Sequence, residues 1–247
     1  RRADMAAHNA LMAIYFSQKN LVDAKKHYAE LLKIAPNNPQ TKFYSAQFSF
    51  LDGDFAKARD TNLQLLRLSP ENTKLLQFAG AVELQTGSLT MAESYFNKAL
   101  SIDAELPSVR RLLAQTYLRS GHSAKAIGTL KPLLELSTND SETDALLAES
   151  YMQQGDHERA QDYFQRAAKT KPGDVRVMTS LALIRLEQGN EKSAFDDLRS
   201  IATNDKKGVY ADLALVSIYT KRREWPEAML AIDNLERKMT DKPIPAE

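Results

Sequence analysis

The sequence predicts an all-α fold built from seven copies of a helix–turn–helix unit. Two observations lead to this prediction. Alanine recurs every 34 residues along the 247-residue chain, and in five of the seven copies glycine stands five residues before it. Glycine at that place ends one helix and opens the turn to the next. Equal repeats without insertions indicate a solenoid, in which each unit packs on its neighbours. The alanines are Ala24, Ala58, Ala92, Ala126, Ala160, Ala194 and Ala228.

Each copy has the pattern of a helical hairpin, as the fourth copy illustrates. Apolar residues at helical spacing run from Val109 to Tyr117 and again from Ala126 to Leu134, on either side of Gly121. Neither helix can bury its apolar stripe alone, so we expect stacked copies to share one continuous core. The predicted repeats are 5–38, 39–72, 73–106, 107–140, 141–174, 175–208 and 209–242, followed by a tail at 243–247.

The fifth copy resembles the tetratricopeptide repeat (TPR) motif. Its matching residues are Leu147, Ala148, Tyr151, Gly155, Ala160, Phe164, Ala167 and Pro172. The resemblance implies a right-handed superhelical solenoid over residues 5–242, whose first helices line a concave groove for a protein or peptide. The tryptophan of the motif is absent. Its place is taken by His8, Lys42, Leu76, Arg110, Asp144, Met178 and Asp212.

The same resemblance assigns residues to the groove. They are Asn9, Phe16, Phe43, Gln47, Phe50, Lys74, Gln77, Gln85, Arg111, Gln115, Arg119 and Glu149. The first third of this lining is aromatic and rich in amides, the middle is basic, and the charge changes sign towards Glu149. Glutamines can pair with the backbone of an extended peptide, while apolar pockets take its side chains. Tyr44 and Phe48 are expected in the core rather than in the groove.

A second resemblance is carried by Phe78–Leu100 and Pro107–Leu134. These stretches are similar to the TPR lipoproteins that accompany bacterial exosortase/PEP-CTERM sorting systems at exopolysaccharide loci. This resemblance implies a longer, lipid-anchored protein of the bacterial periplasm or envelope, with its lipidated cysteine upstream of Arg1. Because the chain begins with arginine rather than methionine, we expect it to be a fragment.

Signatures of catalysis are not found in the sequence. The chain has no cysteine, and its four histidines are scattered without metal-ligand spacing, although His122 and His157 lie in neighbouring turns and could approach each other. A phosphate-binding loop and a hydrolase serine elbow are also missing. We therefore expect no catalytic site, metal or cofactor. The longest apolar run, Ala10 to Phe16, is too short to span a membrane.

The leading hypothesis is a non-enzymatic scaffold for a protein partner, and three alternatives are weighed against it. The chain could be the recognition arm of a larger enzyme such as a glycosyltransferase, which the flanking sequence would reveal. RNA binding is opposed by a formal charge of +1 and by glutamates in the groove. Binding of chaperone C-terminal tails is disfavoured because Glu149 would repel a carboxylate.

Two departures from the repeat pattern lead to further expectations. Pro132 falls inside a predicted helix, so we expect a kink or an irregular turn at 128–132, either as a local bend or as a boundary between sub-arrays. The last helix keeps an apolar face that includes Met229, Leu230 and Met239, with no further repeat to cover it. An exposed face of this kind predicts weak end-to-end self-association.

Overall fold

The computed structural model describes residues 2–136 and 139–240, and within them it contains fourteen α-helices and no strand. The predicted all-α helical repeat fold is confirmed. The helices are α1 (Arg2–Ser17), α2 (Leu21–Ile34), α3 (Pro39–Leu51), α4 (Phe55–Leu68), α5 (Thr73–Gln85), α6 (Leu89–Ile102), α7 (Pro107–Arg119), α8 (Ser123–Leu136), α9 (Ser141–Gln153), α10 (His157–Thr170), α11 (Val175–Glu187), α12 (Glu191–Asn204), α13 (Tyr210–Arg222) and α14 (Trp225–Thr240).

The chain divides into two compact units, Arg1–Thr116 and Tyr117–Glu247, with the boundary inside α7. In the first unit, α1 packs on α2, α3 on α4 and α5 on α6, while α4 also contacts α5. In the second unit, α9, α11 and α13 pack on α10, α12 and α14, and α12 also contacts α13. Each unit is therefore a stack of hairpins. The single array over 5–242 stays a prediction, and the tail at 243–247 lies outside the described residues.

The recurring alanines belong to the core of the hairpins. All seven are buried, with exposed fractions of 0–3%. In the second hairpin, Ala58 shares a cluster with Ala46 and Phe78. In the third hairpin, Gly80 of α5 lies so close to the ring of Phe96 on α6 that a Cβ added to this glycine would clash with the ring. Small residues at these places let the helix axes approach, as the sequence predicts.

The turns within the hairpins adopt the left-handed backbone conformation that favours glycine. Gly53, Gly87, Gly121, Gly155 and Gly189 have φ between +76° and +84°. Lys19 and Arg223 occupy the same place in the first and last copies, and their φ angles are +56° and +59°. The first and last turns therefore hold side-chain-bearing residues in a conformation that is strained for them.

Pro132 lies within α8, which is assigned as one continuous helix from Ser123 to Leu136. No irregular turn interrupts the helix at 128–132, and the expected kink there stays a prediction. The polar stretch that follows α8 ends in a helix cap, because the Asp140 side chain accepts hydrogen bonds from the backbone N–H groups of Glu142 and Thr143. Residues 137 and 138 of this stretch lie outside the described residues.

Candidate functional site

An open cavity of about 360 Å³ lies on the first unit, beside the helices that the sequence assigns to the groove. It collects residues from the end of α1, from α3, from the end of α4 and from the start of α5. The lining residues are Ala13, Phe16, Pro39, Gln40, Phe43, Tyr44, Gln47, Leu65, Leu68, Ser69, Asn72, Lys74 and Leu75. Four of the twelve predicted groove residues therefore meet at one cavity: Phe16, Phe43, Gln47 and Lys74.

The two phenylalanines of the cavity are half-buried and rest on core aromatic rings. Phe16 packs on Tyr44 and Phe48, with ring centroids 6.0 and 5.4 Å apart. Phe43 meets the edge of Phe78 at 5.4 Å. Tyr44 and Phe48 are buried, as expected. Phe16 and Phe43 thus have two roles, since each supports the core and also presents apolar surface to the cavity.

Polar groups stand around this apolar surface. The Tyr44 hydroxyl donates a hydrogen bond to the Asn9 backbone carbonyl at 3.3 Å, and burial raises the pKa of Tyr44, so the hydroxyl stays a neutral donor. Gln47 is half-buried and Lys74 is exposed; among the described residues neither side chain has a hydrogen-bond or ion-pair partner. Both side chains are therefore available to a ligand.

Local hydrogen bonds place the start of α5 against the cavity. The Asn72 side chain accepts hydrogen bonds from the backbone N–H groups of Lys74 and Leu75, at 3.1 and 3.2 Å. The buried Asn62 of α4 donates its Nδ2 hydrogen to the Leu75 carbonyl at 3.0 Å. These bonds fix the first turn of α5 and, with it, the backbone position of Lys74.

Other predicted groove residues of the first unit lie outside the cavity. Phe50 packs edge-on against Phe55 and Phe78, at centroid distances of 5.4 and 5.7 Å. Gln77 accepts a hydrogen bond from the Ser108 hydroxyl at 3.5 Å, which links α5 to α7. The remaining members do not line the cavity: Asn9 and Arg111 are half-buried, and Gln85 and Gln115 are exposed.

The second unit contains the last two predicted groove residues, Arg119 and Glu149. Arg119 is exposed at the end of α7. Glu149 lies 3.9 Å from the Arg176 guanidinium, and its side chain is 37% exposed. Burial raises the pKa of Glu149, and the nearby Arg176 offsets part of that rise. The acidic end of the predicted groove is therefore partly neutralised by its own neighbour.

Sequence reasoning missed the contribution of α4 to the cavity. Leu68, at the end of α4, is 75% exposed and lines the cavity with Leu65 and Ser69. The repeat pattern did contain a signal for this contribution. Ile102 and Leu136 occupy the same place as Leu68, one and two repeats later, and they are also exposed, at 43% and 65%. An exposed apolar residue that recurs at the same place of the repeat indicates a contact surface. Here that surface includes the ends of the second helices as well as the first helices.

Three of the four histidines have a histidine or glutamate neighbour within hydrogen-bond distance. The Nδ1 atoms of His8 and His27 lie 2.9 Å apart, and His157 lies 2.9 Å from Glu187. Among the described residues, no group of three or more histidine, aspartate or glutamate side chains is arranged to hold a metal ion. Within the same ranges, none of the helices has the length and apolar character that crossing a bilayer requires.

Comparison with known proteins identifies the repeat. A tetratricopeptide repeat protein from Parabacteroides merdae superimposes with a TM-score of 0.76 at 14% identity, covering 97% of this chain and 95% of that chain. PilF of Pseudomonas aeruginosa gives 0.68 at 15% identity, with coverages of 85% and 96%. The APC/C hetero-tetramer Cut9–Hcn1 gives 0.73 at 17%, with coverages of 85% and 42%. These likenesses concern the fold alone. No curated protein matches the sequence.

Two family models of the tetratricopeptide repeat match the sequence, at residues 83–150 and 145–209, and together they span just over half of the chain. The chain belongs to the tetratricopeptide repeat family. TPR proteins generally mediate protein–protein interactions, and the TPR fold is typically a non-catalytic scaffold.

In the second unit of this TPR chain, two aspartates stand at the motif place where tryptophan is usual, and each forms a buried ion pair. Asp144 is 1% exposed and lies 3.1 Å from the Arg166 guanidinium. Asp212, also 1% exposed, lies 2.6 Å from the ammonium nitrogen of Lys238. The sequence pattern showed only that tryptophan was missing. The ion pairs became visible when the structure placed each aspartate opposite a cation of the following helix.

Proposed function

We propose that this TPR chain is a non-enzymatic scaffold that binds a protein partner through the groove of its first three repeats, with no cofactor and no nucleic acid. The observation that carries the proposal is the cavity beside α3 and α5. It combines apolar surface with the unpartnered polar side chains of Gln47 and Lys74. Ligand sites in proteins have this composition, with a mainly apolar lining and few polar groups that orient the ligand.

The family supports a protein partner more strongly than a small molecule. Helical repeats expose extended surfaces that suit extended peptides and other proteins. Cut9–Hcn1, one of the structural neighbours, is itself a hetero-tetramer. An open cavity can admit a side chain of a partner whose backbone continues along the groove.

The resemblance to TPR lipoproteins of exosortase/PEP-CTERM systems extends the proposal to a compartment. We place the partner in a bacterial envelope complex for exopolysaccharide biosynthesis or protein sorting. The alternative, a recognition arm of a larger enzyme such as a glycosyltransferase, predicts a catalytic domain in the flanking sequence of the parent protein. Sequencing the parent locus distinguishes the two.

Self-association is a further part of the proposal. Met229, Leu230 and Met239 on α14 are 58%, 63% and 59% exposed, whereas Ile232 and Leu235 are half-buried. An exposed apolar helix face favours weak end-to-end contact between copies.

The groove is best tested at exposed positions, because Phe43 and Phe50 also support the core. Leu68→Glu changes a cavity residue that is 75% exposed, and Leu136→Glu changes the same motif place in the second unit, where exposure is 65%. The wild-type chain, Leu68→Glu and Leu136→Glu are used to capture partners from envelope and soluble fractions of the source cells. Circular dichroism verifies that all three remain folded.

We expect the wild type and Leu136→Glu to retain the same partner from the envelope fraction, and Leu68→Glu to lose it. Equal retention by both variants would show that the cavity does not bind the partner. Capture from the soluble fraction alone would contradict the envelope assignment.

A further inference from the structure

Within each unit, successive copies of the repeat contact each other at fixed positions. Positions are counted from the first residue of a copy, so that position 1 is residue 5 in the first copy and residue 209 in the last. Phe16, at position 12 of the first copy, packs on Tyr44 and Phe48 at positions 6 and 10 of the second, with ring centroids 6.0 and 5.4 Å apart. Phe50, at position 12 of the second copy, packs on Phe78 at position 6 of the third, at 5.7 Å.

Positions 5, 21 and 24 belong to the same contact. Phe43, at position 5 of the second copy, contacts the position 6 ring of the third copy at 5.4 Å. Tyr28, at position 24 of the first copy, packs on Phe48 at position 10 of the second, at 5.0 Å. In the second unit, Phe195 at position 21 stacks on Tyr219, at position 11 of the next copy, at 5.4 Å. Positions 5, 12, 21 and 24 of one copy therefore pack on positions 6, 10 and 11 of the next.

The half of this contact that faces a preceding copy is uncovered on α1. Ile14, at position 10 of the first copy, is 48% exposed. Ala10 at position 6 is also exposed, and Tyr15 at position 11 is half-buried. In copies two to six, position 10 is at most 5% exposed, and its residues are Phe48, Val82, Thr116, Ser150 and Ile184.

The half that faces a following copy is uncovered on α13 and α14. Leu213 at position 5 and Met229 at position 21 are 50% and 58% exposed. Thr220 at position 12 is exposed, and Ile232 at position 24 is half-buried. In copies two to six, these four positions are buried or half-buried. The first and last copies thus expose the two different halves of one contact.

We infer that α13 and α14 of one molecule pack on α1 of a second molecule at the positions that join successive hairpins within the chain. The inference specifies the self-association proposed above and rests on it. Because the two surfaces differ, the contact is heterologous, and each molecule in a pair keeps one free surface for a further copy. The partner of this surface is therefore a second copy of the same chain.

The equivalent positions fit each other in size and polarity. Leu213 of one copy lies opposite the small Ala10 of the other. Ile14 lies opposite Ile232, so two apolar side chains leave water together. Met229 takes the place of Phe195 and lies on the ring of Tyr15, where a thioether packs favourably against an aromatic ring.

The charges at the rim of this contact do not repel each other. Leu63 and Leu66, at positions 25 and 28 of the second copy, line a cavity together with Leu76 at position 4 of the third. In the last copy, positions 25 and 28 are Asp233 and Glu236, and position 4 of the first copy is His8. The carboxylates of one molecule thus lie beside an imidazole of the other, which can donate a hydrogen bond to them.

Complementation between two variants of the full chain tests the inference. Ile14→Glu places a charge in the α1 surface, and Met229→Glu places one in the α14 surface. Both residues are exposed, and circular dichroism verifies that the variants remain folded. In sedimentation equilibrium, we expect each variant alone to associate more weakly than the wild type, by a factor on the order of tenfold or more in the dissociation constant.

An equimolar mixture of the two variants should recover one contact, because the intact α14 surface of Ile14→Glu can pack on the intact α1 surface of Met229→Glu. We expect the mixture to form dimers and no larger species, whereas the wild type also forms larger species. Leu136→Glu places the same charge at an exposed residue outside both surfaces, and it should associate as the wild type does.

The opposite results separate the inference from the self-association on which it rests. If the wild type associates but the mixture stays monomeric, or if either variant associates as well as the wild type, the assigned contact is wrong and self-association stands. A wild-type chain that stays monomeric at high concentration would overturn both. Neither result bears on partner binding in the groove, which is measured separately by capture with Leu68→Glu.

Discussion

The ion pair between Asp212 and Lys238 can be removed by the substitution Lys238→Met, which keeps an unbranched stem of similar length. In the structure, Nζ of Lys238 lies 2.6 Å from the Asp212 carboxylate and donates to the carbonyls of Ala202 and Gly208, at 2.6 and 3.4 Å. The two side chains of the pair are 12% and 2% exposed. Methionine would leave the carboxylate buried without a cation.

The expected loss of stability follows from that burial. Removing one partner of a buried ion pair costs about 3–5 kcal/mol, since the remaining charge keeps its desolvation penalty. We expect about 3 kcal/mol, at the lower end of this range. The reason is that α14 ends at Thr240, two residues beyond Lys238, so local fraying can return water to Asp212. The double variant Lys238→Met/Asp212→Leu removes both charges and should return to within about 1 kcal/mol of the wild type.

The assay is urea unfolding followed by the fluorescence of Trp225. It is the single tryptophan of the chain and begins α14, so it reports on the last hairpin. The exposed Lys169→Met is the control and should change the free energy of unfolding by less than about 0.5 kcal/mol. A loss below about 1 kcal/mol for Lys238→Met, or a double variant no more stable than the single one, would refute the reasoning.

Three further predictions follow from the structure. Lys19→Gly and Arg223→Gly relieve positive φ angles, and each should raise the free energy of unfolding by about 0.5–1 kcal/mol in urea titrations; a decrease would contradict the strain. Burial raises the pKa of the Glu149 carboxyl above that of an ordinary glutamate, so the folded state holds this proton more firmly than the unfolded state does. The free energy of unfolding should therefore fall as the pH rises from the ordinary glutamate pKa through the raised one. Glu149→Gln should lack this slope in unfolding curves recorded at successive pH values. Leu230→Glu should abolish concentration-dependent association in sedimentation experiments, whereas a wild-type chain that stays monomeric at high concentration would exclude the end-to-end contact.

The candidate site was only partly accessible from the sequence. Phe16, Phe43, Gln47 and Lys74 could be assigned because the TPR motif specifies which places of its first helix face the groove. The contribution of Leu68 could not be assigned in this way, because it comes from the end of the second helix. Its position depends on how successive hairpins pack, which a motif place does not encode.

Repetition in the sequence was sufficient to predict the all-α repeat fold, the turns and the buried alanines. Each of these depends on local rules: a helical period, a residue able to adopt positive φ, and a small side chain where two helices touch. The partners of Asp144, Asp212 and Glu83 were decided by tertiary structure alone. Charged side chains reach across helices to residues more than twenty positions away, and only the packed arrangement determines which cation each buried carboxylate meets.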